Sequence, residues 1–151
     1  MKNKYHFTES GLDNVFLLDG FTIKKTAHGS GVAFDNLELL LETIAQAVVS
    51  SPMTLRGQEV RFLRTRLDMS QSGLAKLLGV SRASVARWEG APKTHIEGTA
   101  DTAMRLLFAA VRDRQSLIKN AYQGIQDRDR GDDEILPLSL HKDDQRWAVA
   151  G

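Results

Sequence analysis

The chain has 151 residues, of which 42% are hydrophobic and 26% charged. That length suits one domain, or one small domain with a second substructure, and supports a core without a disulfide or metal staple. There is no cysteine, which excludes disulfide scaffolds, cysteine nucleophiles and thiolate zinc sites, and the formal net charge is only +1.

The opening residues, MKNKYHFTES, contain no apolar signal core. The apolar stretch Leu37 to Val49 is interrupted by Glu and Gln and falls short of the ~20 residues of a bilayer span. A soluble cytoplasmic protein with no membrane partner is expected.

Residues 1–35 read as β-rich. Val15-Phe16-Leu17-Leu18 and Phe21-Thr22-Ile23 flank Asp19-Gly20, a strong two-residue hairpin signal because a type I′ turn needs positive φ at both central positions. A second turn, His28-Gly29-Ser30-Gly31, leads into Val32-Ala33-Phe34, which predicts a three-stranded meander. Asp35 or Asn36 then caps a helix carrying Leu37, Leu40, Leu41, Ile44, Ala45 and Val48 at helical spacing, with Leu39 widening the stripe. Ser50-Ser51-Pro52 ends it. Residues 1–51 are thus expected as a small N-terminal domain of hairpin plus helix, whose surplus apolar width serves either self-association or a wider core.

Residues 52–120 read as helical: three short patterns, then a longer helix from Gly98 through Met104, Leu107, Phe108 and Val111 to about Ile118. Residues 121–151 are expected as an acidic, partly disordered C-terminal tail, because QDRDRGDDE has no large apolar residue. Ile135, Leu136, Leu138, Leu140 and Trp147 return towards the end. A tail with a tryptophan is expected to dock on its own protein or on a partner. The fold class is mainly α, or α+β when the N-terminal hairpin is counted.

Charge is unevenly distributed. Between Leu55 and His95 there are eight basic residues and three acidic ones, a local excess of five positive charges. From Gly124 onward seven acidic residues face four basic ones, a local charge of −3. A basic module followed by an acidic stretch is the footprint of phosphate neutralisation.

Ser70 to Gly90, SQSGLAKLLGVSRASVARWEG, sharpens this. Ser70 is placed to cap a helix over Gln71–Leu78 that buries Leu74, Ala75 and Leu78. Gly79 suits a left-handed turn, Val80 is expected to plug that turn into the core, and Ser81 caps the next helix. Val85 and Trp88 lie three apart and face inward, while Arg82, Ala83 and Arg87 lie on other azimuths. A scaffold helix, a tight turn and a helix with an exposed basic face make a helix–turn–helix.

These residues resemble the Xre-type helix–turn–helix of lambda-like phage repressors and Cro, over roughly residues 55–111. The segment YHFTESGLDNVFLLDG is similar to that of Xre regulators with a short β-rich N-terminal domain, a group that includes MqsA-type antitoxins; the cysteines that hold zinc in those antitoxins are missing here. The resemblance implies that Gln71 contacts a phosphate or base edge and that Ser81 and Ser84 bind phosphates at a helix N-terminus. It implies that Arg82, Ala83 and Arg87 face the bases, through guanine O6 and N7 or a thymine methyl group. Lys93, Thr94 and His95 would follow the DNA backbone. Arg64 and Glu89 would form a structural ion pair.

No catalytic constellation is present, so no enzyme activity and no cofactor are expected. His6, His28, His95 and His141 are scattered without metal-ligand spacing, and no GxxxxGK[ST] or strand–GxGxxG–helix pattern occurs. The expected function is a sequence-specific double-stranded DNA-binding transcriptional regulator, most simply a repressor, acting as a homodimer on a pseudo-palindromic operator. The alternative is an antitoxin that neutralises a protein toxin and autoregulates its operon.

Overall fold

The computed structural model describes residues 4–128 and 134–151. The chain divides into two compact units, one made of the described residues up to Ile44 together with Leu136–Gly151, the other spanning Ala45–Ile135.

The first unit holds two sheets. Strands β1 (Tyr5–His6), β2 (Val15–Leu17), β5 (Leu138–Asp143) and β6 (Arg146–Val149) form a four-stranded sheet in the order β1-β2-β5-β6. Strands β3 (Phe21–Thr26) and β4 (Gly29–Phe34) form a separate two-stranded ribbon. Alternation places Val15 and Leu17 on the buried face, joined by Phe7, Leu12, Leu40, Ile44, Leu140 and Trp147. Helix α1 (Leu37–Ser50) follows the ribbon, and the division between the units falls within it. Asn36 starts α1, its side-chain oxygen accepting the Leu39 N–H at 3.4 Å. Leu40, Ile44, Ala45 and Val48 of the expected stripe are buried; Leu37 is exposed.

The meander is corrected by this topology. β2 pairs in parallel with β5, Val15 opposite Leu138 and Leu17 opposite Leu140, so it does not form a hairpin with β3. The hairpin turn sits instead at Ala27-His28, with Thr26 paired to Gly29. Asp19-Gly20 still turns the chain, Gly20 having φ +75°, but as a corner between the two sheets. The Asp19 carboxylate accepts the Lys142 backbone N–H, and a Cβ on Gly20 would lie 2.2 Å from the Trp147 ring. Trp147 donates its indole N–H to the Asp35 carbonyl at 2.9 Å. The stretch expected as a tail therefore contributes two strands and a buried tryptophan. Residues 129–133, within the expected charged linker, lie outside the described residues.

The second unit is helical: α2 (Gly57–Arg66), α3 (Gln71–Leu78), α4 (Arg82–Gly90), α5 (Gly98–Arg112) and α6 (Gln115–Arg128). Leu55, Val60, Leu63, Leu74, Val85, Met104, Phe108, Leu117 and Ala121 fill its core. The single helix expected from Gly98 to Ile118 is broken at Asp113. That residue adopts φ 52°, and its N–H reaches the carbonyls of Ala109 and Ala110, both at 3.1 Å, closing α5. Aspartate visits the left-handed region more readily than most side chains, so the break needs neither glycine nor proline. At Gly124, α6 runs so close to the end of α1 that a Cβ would lie 2.7 Å from the Ser50 carbonyl oxygen.

Candidate nucleic-acid interface

Local hydrogen bonds set the geometry of α3 and α4. The Ser70 hydroxyl accepts the Gly73 N–H at 2.9 Å, and the Ser81 hydroxyl accepts the Ser84 N–H at 3.1 Å, so each helix starts on a side-chain cap. Between them Gly79 takes φ +70°, and the Val80 N–H returns to the Ala75 carbonyl at 3.0 Å. Val80 itself is 36% exposed, which corrects its expected place in the core. The turn is held by backbone hydrogen bonds rather than by a hydrophobic plug.

Val85 is fully buried and Trp88 is 7% exposed, so they fix which face of α4 looks inward. Ser81, Arg82, Ala83 and Arg87 are exposed, as are Lys93 and Thr94 just beyond the helix, while Ser84 is half-buried and its hydroxyl lies 3.0 Å from that of Ser81. Arg87 lies 3.6 Å from Glu97, both well exposed, and such a surface pair contributes little and leaves the guanidinium available. Gln71 and His95 are half-buried, and each has a partner within the protein. Gln71 donates to Glu89 at 3.3 Å, and the His95 ring nitrogen Nδ1 sits 2.8 Å from the Thr54 carbonyl. His95 also forms an isolated antiparallel bridge with Arg56.

Arg64 and Glu89 form a two-pronged ion pair at 2.7 and 2.8 Å that ties α2 to the end of α4. The hydrogen bond to Glu89 raises the Arg64 pKa, and partial burial opposes that shift. A third guanidinium nitrogen donates to the Met69 carbonyl at 2.9 Å, which fixes the entry to α3. Glu59 is likewise committed: buried in the first turn of α2, it accepts from the Arg56 backbone N–H and guanidinium at 2.7 to 3.0 Å. Two of the three acids between Leu55 and His95 are thus neutralised internally. The exposed charge of the module is left to Arg61, Lys76, Arg82, Arg87 and Lys93 against Asp68. Positive charge therefore predominates on this surface, with Asp68 and Glu97 as its exposed acids.

The start of α2 also holds the segment after α4. Backbone N–H groups of Gly57 and Gln58, unused within the helix, donate to the carbonyls of Thr94 and Pro92, each at 3.1 Å, and the Gln58 side chain adds a bond to Pro92 at 3.0 Å. This positions Lys93 and Thr94. A Cβ on Gly57 would lie 1.9 Å from the Trp88 carbonyl oxygen, so only glycine allows the approach. Gly57→Ala is expected to force α4 away from α2 and to destabilise the unit by ~1–3 kcal/mol, measured by urea unfolding. A shallow concavity of about 290 Å³, lined by Arg87, Trp88, Ala91, Thr94, His95, Ile96 and Glu97, lies at the same end of α4.

Sequence reasoning missed the buried charges that hold these helices. Asp101 and Arg105 are fully buried on α5, and Arg128 of α6 also reaches the Asp101 carboxylate. The only signal was an acid and a base four apart on a helix whose neighbouring positions are apolar. No described helix is long and apolar enough to cross a membrane.

Residues 60–95 match the model of a family described as helix-turn-helix. The chain has no match among curated proteins or solved structures.

Proposed function

We propose that the chain uses its Xre-type helix–turn–helix, residues 60–95, to read specific sites on double-stranded DNA, as a dimer and as a transcriptional repressor. The observation that carries this reading is the register of α4. With Val85 and Trp88 inside, Arg82, Ala83 and Arg87 are left on a helix surface that fits the major groove. Ser81, Lys93 and Thr94 flank that surface and contact phosphates, fixing orientation without carrying sequence information. Gln71 and His95 act through the residues they brace. One module reads few base pairs, so two copies related by a two-fold axis would place their recognition helices about 34–36 Å apart. Val111 on α5 and Ile118 and Tyr122 on α6 are exposed apolar side chains that support self-association through this pair of helices.

Selection of binding sites from random duplexes with the purified full chain tests the reading. A two-fold-symmetric consensus is expected, and failure to enrich any sequence at low ionic strength would overturn it. On the selected duplex, Arg82→Ala or Arg87→Ala is expected to cost ~1–3 kcal/mol and to relax base preference at one position of each half-site. Equal losses on selected and random duplexes would demote the arginine to a phosphate contact.

A further inference from the structure

The β3–β4 ribbon is out of proportion to the core it serves. Its two strands pair only with each other. Only the base is anchored: the Phe21 ring lies 5.2 Å from that of Tyr5, and the Phe34 ring 4.8 Å from that of Phe7. Every residue from Thr22 to Gly31 is exposed, and Ile23 is exposed at 57%. A two-stranded ribbon that buries nothing along most of its length is marginal in water on its own account.

Its chemistry indicates what it meets. From Gly20 to Phe34 there is no acidic residue, while Lys24, Lys25 and His28 sit towards the turn. Among the described residues no carboxylate forms an ion pair with either lysine. The register sets the faces. Thr22, Lys24 and Thr26 share one face and stand opposite Ala33, Gly31 and Gly29. Side chains on β3 therefore look across a partner strand with almost no bulk, and a Cβ on Gly29 or Gly31 would meet nothing within 4 Å. Lys25 points to the opposite face beside Ser30. A basic, low-profile, two-stranded ribbon has the dimensions of a B-DNA major groove, which admits such a ribbon as readily as a helix.

We propose that the β3–β4 ribbon is a second DNA contact, resting on the DNA-binding reading of α4 and adding phosphate contacts through Lys24 and Lys25. Because the ribbon and α4 belong to one chain, binding by either raises the effective concentration of the other at the same duplex. Lys24 and Lys25 stand on opposite faces of the ribbon, so each neutralises a phosphate on its own side of the groove. The contribution is largely independent of base sequence.

The test compares the full chain with its Lys24→Ala/Lys25→Ala and Lys24→Glu/Lys25→Glu variants, on selected and random duplexes over a range of salt. Both lysines are exposed, so circular dichroism and thermal melting should match the parent. Loss of two phosphate contacts per bound chain is expected to make the salt slope shallower by about 2 for each chain, about 4 for a dimer, and to weaken binding tens of fold per chain near 0.1 M salt, equally on both duplexes. The charge-reversed variant should bind more weakly than the alanine variant. Unchanged affinity and slope in both variants, while Arg82→Ala still loses the selected site, would overturn the ribbon contact and leave the reading of α4 intact. If Arg82→Ala and Arg87→Ala were also without effect, the DNA reading itself would fall.

Discussion

Asp101→Ala is expected to destabilise the helical unit by ~3–5 kcal/mol, the cost of leaving a buried guanidinium without its counter-charge. The Asp101 carboxylate accepts the Leu55 N–H at 2.7 Å, the Arg105 Nε at 2.9 Å, and a bond from Arg128. It thereby ties the segment before α2 to α5 and α6. Burial pushes the Arg105 pKa below its ordinary value, and the Asp101 charge is the main effect opposing that shift, so removing Asp101 leaves only the weaker pull of Glu59 against burial. Urea unfolding should show a lower midpoint with an unchanged slope.

Replacing a buried pair by apolar side chains often restores stability. Here it should not. Arg105 donates to the Val49 carbonyl at 3.0 Å, the Met53 carbonyl at 2.6 Å and the Ser51 carbonyl, closing the end of α1 and the turn that follows. Asp101→Leu/Arg105→Met would remove both fully buried charges, but it would take the Asp101 carboxylate from Arg128 and leave those carbonyls without their donor. We expect the double variant to remain well below the parent in stability. Full recovery would show that the carbonyl contacts contribute nothing.

This cluster also marks where sequence reasoning stops. The helix–turn–helix was legible because its determinants are local: Ser70 and Ser81 cap the helices three residues away, and Gly79 meets a backbone requirement at its own position. The Asp19-Gly20 turn was equally legible, but which strand lies beside β2 was not. That edge is taken by Leu138–Leu140, more than 120 residues later, and nothing in the period-2 pattern of Val15–Leu17 distinguishes a parallel partner from a hairpin partner. Asp113 escaped because the apolar spacing continues through the break to Ile118. The internal bonds of Gln71 and His95 were not legible, because their partners, Glu89 and the Thr54 carbonyl, lie 18 and 41 residues away.

Trp88→Ala is expected to cost ~3–5 kcal/mol and to abolish DNA binding through loss of the helix position rather than loss of a contact. Trp88 and Val85 hold the inward face of α4, and the Trp88 carbonyl is the surface on which Gly57 rests. The indole N–H is buried and has no acceptor among the described residues. Part of what the ring contributes by burial is therefore offset by an unpaired donor. Trp88→Phe removes that donor while keeping most of the apolar volume, so it should lose far less stability than the alanine variant and retain recognition of the selected duplex. The two substitutions separate two roles for the residue. A base-stacking tryptophan would lose affinity as alanine while the fold survived. A core tryptophan loses the fold first, and added DNA is expected to raise the melting temperature of Trp88→Phe and of the parent alike. A Trp88→Ala chain with parent stability would mean that the register of α4, and with it the outward placement of Arg82 and Arg87, is wrong.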